Sequence, residues 1–559
     1  MILWLVPTIS AAQAYKSAIR HDELVAELTE QGTTIPTGSG VGITQVEAGS
    51  GTTTAVLPDS SNAEFSGKTI TDQSGGSTNS YHATIVGKNL YGNTTSVSPG
   101  ITQIDVYEAN NWFTSGWYSG TPPVELNPIQ NHSWVSFDTT SNATLRMDYA
   151  ASRDGFLPIA GLYNSDYGGQ NTVSDIPGVY GSIYNGITVG VNDGTHRFGT
   201  TSYDGVGRTK PEIVAPSSFT SYAAPIVSSV AAFLIDAAGS NIAAQTPVTL
   251  KAIILAAADK AVSPNWDQTP TRPIDEQYGA GKLDIYESYF IQQGGQQNAG
   301  TSIARRGWNL GNISSGTTDS YTITVPAGYE LRDLSALVTW NRTVTRQRQG
   351  FSFNYIPSLA NLALNLKDNS NGSSLQNSNS AVDNIEHIWR DSSNGLSAGT
   401  YTLEVTSDSS AEYAIAWRSE LYQNYTLWAT AAFDTGIPET DRDASDDPDN
   451  DGIENLLEFA LGGDPSARDS NILPIQTQVE DGGSTYLELS FTRPKGLSEI
   501  TYLVQTTGEL ATWPADGSGV NPNPVIVDNG NDTETLTYRR TQAVNASSRA
   551  FMRLKVSTP

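Results

Sequence analysis

The sequence predicts an α/β domain built on a doubly wound parallel sheet, followed by two all-β sandwich or jelly-roll modules. Three observations carry this expectation. In the first half, short β-branched runs alternate with Ala-rich or amphipathic stretches, the pattern of parallel strands joined by crossover helices. After Leu283 the helical periodicity stops, and short alternating runs punctuated by Gly, Asn and Ser replace it. A further set of alternating runs, from about Ile472 to Val556, is set off by an acidic linker. The 559 residues are accordingly divided into a candidate signal peptide over 1–14, an α/β domain over 15–296, a β-sandwich module over 297–430, a linker over 431–468 and a C-terminal β-sandwich over 469–559.

In chain order, residues 41–49 read as a short strand that ends in Glu47 and a glycine turn, and residues 81–87 as the start of a helix carrying His82. Strands are expected over 101–106, 133–137, 157–161 and 186–191, with an amphipathic helix over 143–153. Residues 210–216 form an extended run closed by Pro216, and 226–238 and 248–260 read as buried Ala-rich helices. Ser221 lies at the mouth of the first of these. Unpaired backbone N–H groups and the helix dipole there favour developing negative charge, which suits a serine nucleophile whose reaction passes through an oxyanion. A serine in that position is otherwise an N-cap, so partners are needed. His82 and Glu47 supply them, giving the chain order acid, histidine, serine. Asp59, in a Pro-Asp-Ser-Ser turn, is the alternative acid.

These segments resemble the subtilase family of serine peptidases. Phe219-Thr220-Ser221-Tyr222-Ala223-Ala224-Pro225 is similar to the family's Gly-Thr-Ser-x-Ala-x-Pro, and Tyr81-His82-Ala83-Thr84-Ile85-Val86-Gly87 to its His-Gly-Thr-His-Val-Ala-Gly. Lys210-Pro211-Glu212-Ile213-Val214-Ala215-Pro216 resembles the family's Lys-Pro-Asp-Ile-x-Ala-Pro, and Tyr278-Gly279-Ala280-Gly281-Lys282-Leu283-Asp284 the glycine turn that closes its catalytic domain. The departures are Phe219 and Ala83 in place of glycines and Glu47 where most members carry Asp. The resemblance implies Ser221 as nucleophile, His82 as general base and Glu47 as its orienting acid. It implies an oxyanion donor in Asn164, for which a polar turn residue is the alternative, and substrate-binding walls from Ser133, Trp134, Val135, Ala160 and Gly161. For Trp134 a plain core position is the alternative.

The linker contains Asp447-Pro448-Asp449-Asn450-Asp451-Gly452-Ile453-Glu454-Asn455-Leu456-Leu457-Glu458. The spacing places oxygen ligands at loop positions one, three and five, a turn glycine at six and a backbone carbonyl at seven, with a carboxylate at twelve. A structural Ca²⁺ is expected on Asp447, Asp449, Asp451, Ile453, Asn455 and Glu458, with no cofactor for catalysis.

With no cysteine, disulfides and thiolate metal sites are excluded. A net charge of −27 excludes a basic nucleic-acid-binding surface, and no stretch after the N-terminal segment reads as a membrane span. A secreted, extracellular bacterial protein acting on protein or peptide substrates is expected, with cell-surface or carbohydrate contact by the C-terminal modules on analogy alone. The competing expectation is a catalytically inactive scaffold of the same fold, used for extracellular binding or adhesion.

Overall fold

The computed structural model describes residues 11–49, 54–136, 141–164, 172–173, 180–201, 204–350, 352–433, 436–497, 499–529, 533–544 and 549–558. The chain divides into two compact units, one of residues 1–323, 333–391 and 400–419, the other of 324–332, 392–399 and 420–559. Most of the first β-rich segment therefore belongs to the same unit as the α/β part.

Within the first unit, seven strands form one sheet: Gly42–Glu47 (β1), Thr69–Asp72 (β2), Gln103–Glu108 (β3), Ile129–His132 (β4), Leu157–Gly161 (β5), Ile187–Val191 (β6) and Ile213–Ala215 (β7). Their order is β7-β6-β5-β4-β1-β3-β2, and every neighbouring pair is parallel. The helices that matter for the site are Tyr81–Tyr91 (α1), Ser141–Asp154 (α2), Thr220–Ala237 (α3), Pro247–Ala257 (α4) and Ile285–Gln293 (α5).

Period-two alternation along the strands gives the sheet two apolar faces, and helices cover both. It sends Ile43 and Ile159 into a core with Tyr91 of α1, Val227 and Val230 of α3, Ile253 of α4 and Ile291 of α5. It sends Val46 and Ala160 to the opposite face, against Ala143, Met147 and Ala150 of α2 and the stacked Trp112 and Trp117. Strand order reverses between β1 and β4, so a crevice opens outside their carboxyl ends, where open parallel sheets place their sites. α3 is long and apolar enough to cross a membrane, but its residues form the centre of this core.

One strand differs from expectation. A strand is expected over 133–137, but β4 is Ile129–His132 and Ser133 begins the loop beyond it; Phe137 lies outside the described residues. Gln130, Asn131 and His132 are all buried, and buried polar side chains hide a strand from hydropathy. Of the segment expected to be a signal peptide, 1–10 lie outside the described residues, and Ala11–Ala18 is helical.

Between residues 301 and 422 the strands gather into a five-stranded and a four-stranded sheet, with a separate hairpin of Thr343–Gln349 and Ser352–Ser358. The second unit holds a four-stranded antiparallel sheet and the pair Thr501–Thr507 and Phe551–Ser557. Leu487, Leu489, Phe491, Val504, Leu536 and Met552 form its core.

Candidate active site

Glu47 is the last residue of β1 and is 1 % exposed. Its Oε2 accepts from His82 Nδ1 at 2.8 Å, and its Oε1 accepts from Gln45 Nε2 at 2.9 Å. His82 is held by the first turn of α1, whose N-cap Ser80 accepts from the Ala83 N–H. Ala83 sits buried inside that helix, where a Cβ is accommodated. With Nδ1–H committed to the carboxylate, the neutral ring presents Nε2 as the basic nitrogen. Asp59, the alternative acid, instead accepts from Ser61 and Asn79 side chains and closes its own turn.

Ser221 is the second residue of α3. The N-cap Phe219 has φ −143° and ψ 146°, extended backbone that any residue adopts, so this structure does not require the glycine usual at that position. Pro225 lies inside the helix and lacks the N–H that would bond the carbonyl four residues earlier, which is Ser221 C=O. Ser133 Oγ fills that role, donating to Ser221 O at 2.8 Å. Asn131 Nδ2 donates to Ser133 Oγ at 2.9 Å, and Ser228 Oγ of α3 donates to Asn131 Oδ1 at 3.1 Å. The polar end of β4 thus clamps the helix that carries Ser221. Gly161 completes the fit: a Cβ there would lie 2.9 Å from Thr220 O, so only glycine lets β5 approach the first turn of α3 this closely.

Asn164 Oδ1 accepts from the Thr220 N–H at 2.9 Å and from Thr220 Oγ1 at 3.2 Å. With its oxygen fixed there, the carboxamide turns its NH₂ to the other side. His82, Ser221, Asn164, Ser133, Trp134, Val135 and Gly161 line one open cleft of about 770 Å³. Ala160 does not belong to it. Alternation along β5 turns it to the opposite face, where it is buried in the core beneath α2. Trp134 is half-buried; its Nε1 donates to His132 Nδ1 at 3.2 Å, and its ring packs among Trp112, Phe113 and Tyr180. His132, whose Nε2 faces Gln130 Oε1, is lowered to about 3 by burial, so it stays neutral behind this wall.

For His82, burial opposes the cation, but the hydrogen bond and charge of Glu47 outweigh it and hold the imidazole above its ordinary range. Burial pushes the Glu47 carboxyl up, against the hydrogen bonds and charge from His82 and the bond from Gln45. The two groups share a proton and titrate as a pair.

In the second unit, Asp447, Asp449 and Asp451 bring carboxylate oxygens within 4.8 Å of one another. Glu458, on the helix Asn455–Leu461 (α6), is 1 % exposed, and neither of its oxygens has a hydrogen-bond partner. Burial and the surrounding Asp449, Asp469, Asp451 and Asp447 push it up to about 8. Asn455 donates Nδ2 to the carbonyls of Asp441 and Asp443, leaving a buried Oδ1 without a partner. Ile453 N–H donates to Asp451 Oδ1 at 2.8 Å. Asp469, which the loop spacing does not contain, donates its N–H to Asp451 Oδ2 at 2.9 Å and keeps a buried, unpartnered Oδ1.

No protein-family model matches the chain, and no curated protein does. Among solved structures it is similar to the patellamide maturation protease PatA, at 17 % identity over 46 % of this chain and 98 % of that one, with a TM-score of 0.33. It is similar to the prenylagaramide maturation protease PagA, at 18 % identity over 48 % of this chain and 96 % of that one, with a TM-score of 0.33. A cold-adapted subtilisin-like serine proteinase is 16 % identical over 44 % of this chain and 88 % of that one, with a TM-score of 0.30.

Proposed function

We propose that this chain is a secreted serine endopeptidase that cleaves protein or peptide substrates through Ser221, His82 and Glu47. The observation that carries the reading is the buried Glu47 carboxylate bonded to His82 in the cleft that Ser221 also lines. His82 Nε2 takes the Ser221 proton as Oγ attacks the scissile carbonyl carbon, and the imidazolium is stabilised by Glu47. The proton then passes to the leaving amine as the C–N bond breaks, leaving an acyl-enzyme; water, activated by His82, attacks the ester and releases the acid. The Ser221 N–H at the start of α3 and the Asn164 Nδ2 face the developing oxyanion. Ser133, Trp134, Val135 and Gly161 hold the substrate. The test is fluorophosphonate labelling of the whole protein beside Ser221→Ala. Labelling of the wild type alone supports the reading; a folded wild type that does not label favours the inactive scaffold.

The linker loop is proposed to hold one Ca²⁺. The donor set is all oxygen, as a hard cation requires, and the orphaned buried Glu458 oxygens fit a ligand rather than a solvated acid. Asp447, Asp449, Asp451 and Glu458 would hold the ion through carboxylates, Ile453 through its carbonyl, Asn455 through Oδ1 or a water, and Asp469 from the following turn. Bound calcium stabilises the second unit by mass action, about 2.7 kcal/mol at a hundredfold excess over Kd. Thermal unfolding should show its transition rising with added Ca²⁺ and falling with EDTA, and Glu458→Gln should remove most of the difference. A transition indifferent to both would refute the site.

A further inference from the structure

The sequence motifs name the acid that orients His82 but nothing that orients the acid. Two side chains behind it, Gln45 and Tyr91, extend the chain of hydrogen bonds. Gln45 lies two residues before Glu47 on β1, so both point to the same face of the sheet, toward α1. Gln45 is fully buried. Its Nε2 donates to Glu47 Oε1 at 2.9 Å and to Ala83 O at 3.3 Å. Its Oε1 accepts from Tyr91 Oη at 2.6 Å. The carboxylate and the Ala83 carbonyl can only accept, so they take the NH₂ end of the amide and leave its oxygen end to accept from the Tyr91 phenol. Tyr91 is the last residue of the helix that carries His82 and is itself fully buried. Gly87, one turn earlier, makes room for it: a Cβ there would stand 2.6 Å from the Tyr91 oxygen.

We propose that Gln45, with Tyr91 behind it, is a positioning residue for the reaction, keeping Glu47 ionised and aimed at His82 while His82 is neutral. The proposal rests on the peptidase reading above. In the resting pair, a neutral imidazole leaves a buried carboxylate whose two oxygens need a donor each. His82 satisfies one and Gln45 the other. Without Gln45 the bare anion is destabilised, and the pair holds its shared proton to higher pH. The ionisable groups packed around the pair are Tyr91 from α1, Tyr222 from α3, whose ring centroid lies 5.4 Å from that of His82, and Glu108 on the neighbouring strand. Glu108 turns away to cap the Asn111 N–H.

Gln45→Met keeps the length of the side chain and removes both polar ends. Relative to wild type, the acidic limb of its kcat/KM profile should move up by about one pH unit, the size expected for one hydrogen bond to a charged group. Below the shifted limb kcat should fall by up to about tenfold, with KM little changed. Tyr91→Phe, which keeps the donor to Glu47 but leaves the buried Gln45 Oε1 without its own donor, should move the limb the same way and less. Nuclear magnetic resonance of the His82 ring gives a second readout that needs no turnover. His21, His132 and His196 are lowered by burial to about 4, about 3 and about 4, and His387 well below its usual range, so His82 is isolated in the titration. An upward shift of the His82 titration in Gln45→Met supports the proposal. An unmoved titration and pH limb in the folded variants overturn it, even if kcat drops, because a purely structural role would give that result. A wild type without turnover fails the peptidase reading instead, and the His82 titration still decides the placement of Gln45.

Discussion

Glu47→Gln should lower kcat by roughly 10³- to 10⁴-fold with little change in KM and none in the fold, the size seen when the triad acid of a serine peptidase loses its charge. The amide has the shape of the carboxylate, so burial at the end of β1 is preserved. It can meet His82 Nδ1 with either end, and the NH₂ end selects the wrong tautomer. The amide also withdraws the charge that holds His82 above its ordinary range. Burial, which opposes the cation, is then left unanswered, so the acidic limb of the pH–rate profile should move down. That direction is opposite to the one expected for Gln45→Met, because one change removes the anion and the other leaves it without a donor. Kinetics on a fluorogenic peptide across pH 5–9 separate the two. Full activity in Glu47→Gln would mean that another acid orients His82, and Asp59 would become the first residue to replace.

The parts of this site legible in the sequence are those set by local chain chemistry. Ser221 could be placed because an apolar helix and a preceding extended run bracket it, and Glu47 because a glycine turn ends its strand. The glycine departures raised a doubt that backbone geometry answers: Phe219 is extended and Ala83 is helical, so neither position demands glycine. What stayed hidden is polar and buried. Gln130, Asn131 and His132 form the strand that clamps α3 and backs Trp134, yet the sequence assigns them to no element, because hydropathy registers composition rather than satisfied hydrogen bonds. Ala160 was placed one residue too generously in the substrate wall; the alternation of β5, fixed by Gly161 facing α3, turns it away. Gln45 could have been found, since a polar residue two before a strand-end acid shares its face. Asp469 could not, because no loop spacing reaches it.

The largest effect on stability is expected at Arg342, which binds the β-rich part of the first unit to α2. Its guanidinium donates Nε to Asp148 Oδ2 at 2.9 Å and Nη1 to Asp204 Oδ1 at 2.6 Å, over the ring of Tyr184 at 4.1 Å from the centroid. Its own N–H donates to Asn185 Oδ1 at 2.8 Å. Asp148 is fully buried, and its second oxygen accepts from the Tyr184 and Asn185 N–H groups at 3.1 and 3.0 Å. Burial opposes the Arg342 cation, but Asp148 and Asp204 outweigh it and hold the guanidinium above its usual range. Arg342→Ala removes the partner and leaves Asp148 as a buried charge held by backbone donors alone, which should lower unfolding free energy by about 3–5 kcal/mol. Arg342→Met with Asp148→Asn removes both charges, while the amide oxygen still accepts from the two backbone groups. The pair should therefore lose less than the single change, and a cycle of Arg342→Met, Asp148→Asn and the double variant in chemical denaturation measures the non-additivity. If the double variant is instead less stable than Arg342→Ala, the ion pair itself is net stabilising, and the desolvation argument fails for this site.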